Sequence, residues 1–347
     1  MPPRFLPTAS LETLKQRSHL VASLREFFRE NGYWECETPI ISREVIVDAN
    51  LDPFVTNDVT GAPYYLQTSP EAGMKRLLCA GADAIFQITR ALRRGESGQL
   101  HNPEFTMVEW YRVGDDHHAQ MDFVEQLVRS FYSKAARLLS NGLNSDVERE
   151  LSEEPFERLT YDEAFERFAE TRVLHLSSHE LRSLAAERGV AAPQTLADDD
   201  RDGWLNLLLA EIVEPNLGRE SPQFLYDYPA SQAALAKVRP SSVDGKNAGG
   251  STGVAERFEL YDRGVELCNG YHELTDVEEF LVRSAAEQES SDFQNHHSLP
   301  GAPLLGQAMQ SGMPACAGVA LGLDRLLMMA LGKTALSEVL AFPADRA

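Results

Sequence analysis

The sequence predicts an α+β fold in which a largely antiparallel sheet is flanked by helices. Strand candidates precede and follow helical blocks without the regular alternation of a βαβ protein. Two pairs of strand candidates are joined by short loops, which favours antiparallel pairing. The chain has 347 residues, 43% of them hydrophobic, and is long enough for one large domain or two ordinary ones.

The first predicted elements lie before residue 81. Apolar residues recur at helical spacing within Thr13–Asn31, and Gly32 supplies the C-terminal stop. A strand is predicted over Tyr64–Gln67. It is followed by a helix over Pro70–Ala80 with Ser69 as the N-cap.

A strand beginning at Ala84 leads through a glycine-rich loop into a second strand. Alternation in the second strand places Phe105, Met107, Glu109 and Tyr111 on one face. A carboxylate among aromatic side chains is unusual on a packing surface, so this face suggests a cationic partner.

The rest of the chain is predicted to contain further helices, one insertion and one hairpin. They are a helix over Asp122–Leu139, two helices within Tyr161–Gly189, a flexible Gly- and Ser-rich insertion at 239–254, a hairpin at 255–276, and a strand at 317–321 that turns at Gly322 into a helix at Leu323–Leu331.

The charge balance disfavours general nucleic-acid binding. The chain carries 32 basic and 53 acidic residues, and its net charge of −21 repels a phosphate backbone except where arginines are concentrated. So much negative charge suits either a basic protein partner or simple colloidal solubility.

The cysteines and the N-terminus indicate a reducing compartment. Cys36, Cys79, Cys268 and Cys316 form no Cys-x-x-Cys pair, so neither a zinc site nor a disulfide framework is indicated. The N-terminus lacks a signal-peptide core, and no run of about 18 apolar residues occurs. We therefore expect a cytoplasmic protein with no membrane partner.

The predicted hairpin carries two acidic residues that suggest a metal site. A loop around Asp262–Gly264 would place Glu259 directly opposite Glu266, with Cβ atoms about 5 Å apart. Like charges at that distance are destabilising unless a cation lies between them, and Mg²⁺ prefers carboxylate oxygens. The alternative is an exposed hairpin with two solvated glutamates.

Two strands have side chains suited to an alkylammonium ion. Asn269, Tyr271 and Glu273 alternate along the second strand of the hairpin, and Glu109 with Tyr111 repeats the combination of carboxylate and phenol. Oxygen acceptors beside an aromatic wall bind such cations. The alternative is a half-buried polar ladder in a sheet.

Three basic side chains have the chemistry to neutralise a triphosphate. Arg93 ends a strand, His101 lies in the following loop, and Arg325 lies in the first turn of the final helix. A guanidinium binds phosphate oxygens through paired donors. Taken singly, each of the three is equally compatible with an ordinary surface position.

Four segments resemble the class II aminoacyl-tRNA synthetases of the lysyl type. In chain order, “NGYWECETPII” (31–41) resembles motif 1, “FQITRALRRGESGQLHNPEFTMVEWYR” (86–112) motif 2, “GVELCNGYHELTD” (264–276) the lysine-site segment, and “GVALGLDRLLMMALG” (318–332) motif 3. The resemblance covers nearly the whole chain. It implies a single catalytic domain over 1–347 that uses ATP and Mg²⁺.

Within this family, the chain is more similar to the ligases that attach (R)-β-lysine to elongation factor P. Motif 1 begins at Asn31, which leaves no room for the N-terminal anticodon-binding domain of a lysyl synthetase. “TSPEAGMKRLL” (68–78) and the terminal “LAFPADRA” are also closer to those ligases. The resemblance implies that (R)-β-lysine or lysine is activated as an adenylate and transferred to a lysine of elongation factor P, and that tRNA is not a partner.

The resemblance also implies a role for individual residues. The catalytic pair would be Arg93, on the α-phosphate and the substrate carboxylate, and Arg325, on the γ-phosphate and one face of adenine. The other implied roles are ATP binding by His101, Asn102 and Phe105, Mg²⁺ binding by Glu259 and Glu266, binding of the reactive-end amine by Glu71, and binding of the distal ammonium by Glu109, Tyr111, Asn269, Tyr271 and Glu273.

Two further features follow from the same resemblance. Ala320 stands where lysyl synthetases resemble one another in having glycine and the β-lysine ligases are similar in having alanine. The added methyl group should crowd α-lysine more than β-lysine. Motif 1 forms the subunit contact in the family, which implies a homodimer.

One departure and two alternatives stay open. The family pattern after the motif 2 arginine is Asn-Glu, whereas Arg93 is followed by Arg94, Gly95 and Glu96. The contact with the adenine amino group therefore depends on Glu96. The alternatives are a shortened lysyl-tRNA synthetase and a non-catalytic paralogue that binds a nucleotide or an amino acid.

Overall fold

The chain forms two compact units. The computed structural model describes residues 3–48, 51–140, 151–241, 253–295 and 299–347. Unit 1 consists of Met1–Leu151 and Glu273–Ala347, and unit 2 of Ser152–His272. The assignment of 1–347 to a single domain stays a prediction.

The helices follow the capping signals of the sequence. Ser10 caps the first helix by accepting a hydrogen bond from the Thr13 N–H at 3.0 Å, and Gly32 follows the helix with a φ of 81°. In chain order the helices are α1 (Leu11–Glu30), α2 (Glu71–Cys79), α3 (His117–Ser140), α4 (Tyr161–Ala169), α5 (Ser178–Glu187), α6 (Arg201–Leu208), α7 (Val277–Asn295), α8 (Pro303–Gln310) and α9 (Leu323–Ala330). Within the described part of the chain, none of them is both long and apolar enough to cross a membrane.

Two helix starts differ from the sequence prediction. The helix predicted from Asp122 begins five residues earlier, at His117. Ser69 was predicted to be the N-cap of α2, but Pro70 occupies that position, and the Ser69 hydroxyl accepts a hydrogen bond from the Glu71 N–H at 3.3 Å. Capping by a residue one position further from the helix still satisfies a donor in the first turn.

The strands in chain order are β1 (Trp34–Glu35), β2 (Ile41–Ser42), β3 (Val55–Asn57), β4 (Pro63–Leu66), β5 (Ala84–Leu92), β6 (Glu104–Val113), β7 (Glu157–Thr160), β8 (Gln223–Pro229), β9 (Val238–Pro240), β10 (Gly253–Asp262), β11 (Val265–His272) and β12 (Cys316–Gly322). In unit 1, β6 lies between β5 and β12 in antiparallel pairing, and β1 joins β5 in parallel. A small antiparallel sheet is formed by β2, β4 and β3. In unit 2, β10 pairs antiparallel with β11, β8 and β9, while β7 joins β8 in parallel. The predicted α+β class with largely antiparallel pairing is confirmed.

In unit 1, one face of the sheet is covered by helices. Phe28 of α1 stacks on Phe86 of β5 with ring centroids 4.4 Å apart. Trp110 of β6 donates a hydrogen bond to Gln120 of α3 at 2.7 Å. Because side chains alternate along a strand, the neighbours of Trp110, which are Glu109 and Tyr111, lie on the other face.

Unit 2 has a separate hydrophobic core under its sheet. Tyr161 and Phe165 of α4 pack with Trp204 and Leu205 of α6 against Tyr228 of β8. This core holds β8, the strand next to β10. Most of the insertion predicted at 239–254 lies outside the described residues, since 242–252 are not described, and its ends belong to β9 and β10.

The predicted register of the hairpin is wrong. Glu259 was expected opposite Glu266, but Glu259 pairs with Asn269, and Glu266 pairs with Tyr261. The turn consists of Arg263 and Gly264, with φ angles of 52° and 77°, as a two-residue type I′ turn requires.

A β-bulge also contributes to the difference between the predicted and the observed register of the hairpin. The register changes between Leu260 and Tyr261, which leaves Leu267 without a partner in β10. As a result Glu266 and Asn269, three residues apart, lie on the same face of the hairpin as Glu259.

We predict that Gly218→Ala destabilises unit 2 more than Gly189→Ala does. Both glycines have positive φ angles, 65° and 72°. A Cβ atom at Gly218 would overlap the Tyr261 carbonyl oxygen and lie 2.9 Å from Asp262 Cα, whereas one at Gly189 would meet nothing within 4 Å. The backbone conformation costs about 1 kcal/mol in each variant, and the overlap should cost about 2 kcal/mol more at Gly218. Equal losses in urea unfolding would show that the close approach to the hairpin is unimportant.

Candidate active site

The face of the unit 1 sheet opposite α1 and α3 carries two of the predicted ammonium-binding residues, Glu109 and Tyr111. Glu109 lies opposite Ala320, and Tyr111 lies opposite Gly318, so all four share one face of β6 and β12. The predicted alternation along β6 is therefore confirmed. At Gly318 a Cβ atom would overlap the Tyr111 ring and approach Glu273 Oε1 to 2.7 Å, so this position requires glycine.

Glu71 and Glu273, which the sequence predicts to bind the two substrate amines, both contact one lysine. Lys75 Nζ lies 2.5 Å from Glu71 Oε1 and 2.6 Å from Glu273 Oε2. The Lys75 side chain is 2% exposed. Burial opposes its charge, but the two carboxylates outweigh burial and raise the pKa of Lys75. Lys75 is therefore a resident cation between the two glutamates.

Glu109 is a buried carboxyl group with one oxygen unused. The Tyr111 hydroxyl donates a hydrogen bond to Glu109 Oε1 at 2.7 Å, and Glu109 Oε2 has no hydrogen-bond partner among the described residues. Burial, followed by the charge of Glu71, raises the pKa of Glu109 to about 8. Glu109 is thus mostly protonated at neutral pH, and a cation beside Oε2 would lower its pKa.

Arg93 follows β5 and lies beside an aromatic ring. Its guanidinium carbon is 5.0 Å from the centroid of Phe105, and its Nε donates a hydrogen bond to the Thr68 carbonyl at 3.4 Å. The pairing with Phe105 places two predicted nucleotide-binding residues together. Arg93 Nη1 also lies 3.5 Å from Glu96 Oε1.

The second arginine of the predicted catalytic pair contacts the predicted phosphate-binding histidine. Arg325 Nη2 donates a hydrogen bond to His101 Nε2 at 2.8 Å. Burial and then the charge of Arg325 lower the pKa of His101. A neutral imidazole with an unprotonated Nε2 is the form that accepts this hydrogen bond.

Asn102 holds the backbone around this site. Its Nδ2 donates a hydrogen bond to the Glu104 carbonyl at 2.6 Å, and its Oδ1 accepts one from the Ala344 N–H at 2.9 Å. Both ends of the amide are therefore used by the protein. The implied contact with adenine stays a prediction.

The departure from the motif 2 pattern has a local explanation. Arg94 pairs with Asp52 at 2.9 Å, and Gly95 has a φ of 89°, a conformation that favours glycine. The loop therefore turns at Gly95, and the next carboxylate, Glu96, lies beside Arg93.

In unit 2, Glu259 is buried and fully engaged. Its Oε2 accepts hydrogen bonds from the hydroxyls of Tyr228 and Tyr261, both at 2.6 Å. Its Oε1 accepts one from Arg257 Nη2 at 2.5 Å. Burial, then the charge of Glu259, raises the pKa of both tyrosines, so that they stay protonated donors.

The face of the β10–β11 hairpin that carries Glu259 has further oxygen atoms that could bind a metal ion. Asn269, opposite Glu259, donates from Nδ2 to the Tyr271 hydroxyl at 3.2 Å. Asn269 Oδ1 is buried without a hydrogen-bond partner among the described residues. Glu266 lies on this face opposite Tyr261 and is half-buried. An oxygen-only donor set with two carboxylates fits Mg²⁺.

Sequence analysis missed several residues of these clusters. A signal existed for Lys75, which lies four residues after Glu71 on α2, and for Arg257 and Tyr261, which alternate with Glu259 on β10. No local signal links Tyr228 to Glu259, because the two residues meet only through the pairing of β8 with β10.

Comparisons with known proteins found one family model and several relatives that match nearly the whole chain. The family model of class II tRNA synthetases (D, K and N) matches residues 6–346. Three relatives are named elongation factor P (R)-beta-lysine ligase. One from Vibrio cholerae is 41% identical over 351 residues, which cover 99% of this chain and 98% of the relative. One from Vibrio vulnificus is 42% identical over 345 residues, 97% of each chain, and one from Yersinia enterocolitica is 41% identical over 351 residues, 98% of each chain.

We predict that the stability of the free protein falls between pH 5 and pH 8 because of Glu109. A carboxyl group with a raised folded-state pKa binds its proton more tightly in the folded state. Its contribution is complete below the ordinary pKa of 4.5 and is lost as the pH rises towards 8. Relative to Glu109→Gln, the wild type should lose up to about 1.4 kcal/mol per pH unit in unfolding free energy.

The matched control is Glu104→Gln, at the exposed start of β6. Its unfolding free energy should follow the wild type across the same pH range. A constant difference between the wild type and Glu109→Gln from pH 5 to pH 8 would contradict the raised pKa.

Proposed function

The chain belongs to the class II tRNA synthetases of the D, K and N type, and we propose that it is an ATP-dependent ligase that joins (R)-β-lysine to a lysine side chain of elongation factor P. The observation that carries this proposal is the group of three glutamates formed by the half-buried Glu71, which contacts Lys75, the buried Glu273, which contacts it too, and the buried Glu109, on which their charges act. The names of the relatives support the same substrate and acceptor. They favour this activity over the charging of tRNA.

The charges of the cluster suit a diamino acid. Among the described residues, Glu71 and Glu273 contact one internal ammonium group, that of Lys75, and the charges of Glu71, Lys75 and Glu273 act on the buried Glu109. Buried charges are costly unless they are paired, so ligand cations should occupy this region. Once the substrate has displaced the proton of Glu109, the two ammonium groups of β-lysine or lysine would balance the two carboxylate charges in excess.

The first step would be attack by the substrate carboxylate on the α-phosphorus of ATP, which releases pyrophosphate and leaves an aminoacyl adenylate. Arg93 would neutralise charge that develops on the α-phosphate, and its contact with Phe105 would hold the guanidinium in place. Arg325 and His101 would bind the outer phosphates. Positioning and charge neutralisation carry this reaction, and no protein nucleophile is needed.

Glu259 and Glu266 of unit 2 would hold Mg²⁺. The metal ion would supply additional positive charge to the phosphates of ATP. Arg257 and the two tyrosines that donate hydrogen bonds to Glu259 hold that side chain in its orientation. Glu96, the first carboxylate after Gly95, would contact the adenine amino group.

In the second step, the amine of an acceptor lysine would attack the carbonyl carbon of the adenylate. An amide bond forms, the bond to AMP breaks, and the amine loses a proton. Lysine as an alternative substrate to β-lysine is compatible with the same cluster because both carry two amines.

The decisive experiment is pyrophosphate exchange into ATP with (R)-β-lysine and with lysine, followed by offering elongation factor P or tRNA as the acceptor. We expect exchange with both amino acids and transfer to elongation factor P alone. Arg93→Ala should abolish exchange, while Arg90→Ala, three residues earlier and exposed, should retain it. Binding of ATP without exchange would support the non-catalytic alternative, and transfer to tRNA would support the synthetase.

We also propose that the protein is a homodimer that uses the motif 1 segment. Trp34, Ile40 and Ile41 are between 43% and 47% exposed, and Trp34 lies in β1, which pairs with β5 and has no second partner strand among the described residues. Burying these apolar side chains would favour association.

Sedimentation should show a dimer at micromolar concentration, and Ile41→Asp should dissociate it. Val59→Asp, which changes a fully exposed apolar residue outside motif 1, should not. A fully active wild-type monomer would refute the proposal.

The last prediction concerns Ala320, which lies opposite Glu109 in β12. Removing its methyl group in Ala320→Gly should give room for the α-carbon of lysine and shift preference towards α-lysine. A difference of one methyl group is worth about 1 to 3 kcal/mol, so the ratio of kcat/KM values should change by about tenfold. Ala317→Gly, on the buried opposite face of β12, is the control. An unchanged ratio in Ala320→Gly would rule out the steric explanation.

A further inference from the structure

We infer that Lys75 makes the pocket select substrates by the separation of their two amines, because it fixes the spacing between Glu71 and Glu273. This inference rests on the proposed function, in which these two glutamates bind the two amines. Lys75 would act through the glutamates and would be a positioning residue.

The central observation is that a single atom contacts both carboxylates. Lys75 Nζ lies 2.5 Å from Glu71 Oε1 and 2.6 Å from Glu273 Oε2. Two oxygens within hydrogen-bonding distance of one nitrogen cannot be more than about 5 Å apart. Without this ammonium group, two neighbouring carboxylates in a buried site would repel each other and move apart.

The backbone that carries each of the two carboxylates is held by close contacts. Glu71 lies in the first turn of α2, and a Cβ atom at Gly73 would come within 2.8 Å of Thr38 Cβ, so α2 sits close to the preceding segment. The Glu273 N–H donates a hydrogen bond to the Cys316 carbonyl at 2.9 Å. The backbones that carry the two carboxylates are therefore held by other contacts, so the side-chain bridge by Lys75 sets the remaining distance between the carboxylates.

The candidate substrates differ in amine separation. The amines of β-lysine lie on C3 and C6, and those of α-lysine lie on C2 and C6, so their separation in β-lysine is shorter by one carbon. Ornithine, with amines on C2 and C5, has the same separation as β-lysine but carries its carboxylate next to an amine, as α-lysine does. Ornithine thus distinguishes recognition of amine spacing from recognition of the carboxylate end, where Ala320 is proposed to act.

The test compares pyrophosphate exchange by the wild type, Lys75→Met and the control Arg76→Met. Methionine keeps the length of the side chain without its charge. Arg76 is the next residue on α2, and it is partly exposed and pairs with Glu44. In Lys75→Met, the kcat/KM ratios of β-lysine to α-lysine and of ornithine to α-lysine should both fall at least fivefold. The change should lie mainly in the amino-acid KM, while the KM for ATP stays constant.

Several outcomes would overturn the inference. Reduced activity with unchanged ratios would mean that Lys75 only stabilises the fold. A fall in the β-lysine ratio without a fall in the ornithine ratio would mean that the carboxylate position is recognised.

If Lys75→Met does not fold, as judged by thermal melting, Lys75→Arg provides the test. Arginine keeps the charge but places two donor nitrogens between the glutamates, so the same two ratios should fall, and unchanged ratios would overturn the inference. A wild type that shows no exchange with any diamino acid would defeat the proposed function and this inference together. That result differs from exchange with unaltered ratios, which defeats the inference alone.

Discussion

Negative charge is in excess on the face of the unit 1 sheet opposite α1 and α3. This excess is the constraint on which the site depends. Glu71, Glu109 and Glu273 are drawn into a region with one internal cation, Lys75. Such burial costs free energy, and a fold optimised for stability alone would avoid it. The protein lowers the cost by bridging two carboxylates with Lys75 and by protonating the third. A substrate with two ammonium groups would displace the proton from Glu109. Its positive charges would then remove the remaining cost.

Glu109 and Glu259, two of the buried glutamates of the predicted clusters, are accommodated in different ways. Glu259 in unit 2 accepts hydrogen bonds from Arg257, Tyr228 and Tyr261, so the protein itself compensates its charge. Glu109 in unit 1 accepts one bond, from Tyr111, and keeps Oε2 unpartnered among the described residues. The first arrangement fixes a carboxylate with donors that the protein itself supplies. The second leaves a carboxyl group whose charge depends on what is bound beside it.

Much of this arrangement could be predicted from local sequence patterns. The period of two along β6 placed Glu109 and Tyr111 on one face, and the fold class followed from the order of strands and helices. The hairpin register could not be predicted, because it depends on positive φ angles at Arg263 and Gly264 and on a bulge. The bulge leaves Leu267 without a partner in β10. Lys75 was missed for another reason. A Glu-Lys pair four residues apart is common on exposed helices, and only tertiary structure shows that this one is buried against Glu273.

The most direct test of the central claim is the number of protons released when a diamino acid binds. Titration calorimetry at pH 7 in buffers of different ionisation enthalpy measures this number. Because Glu109 has a pKa of about 8 in the free protein, binding of β-lysine to the wild type should release close to one proton, and binding to Glu109→Gln should release none. Binding to the wild type without proton release would contradict the account, because Glu109 would then not exchange its proton for the substrate cation.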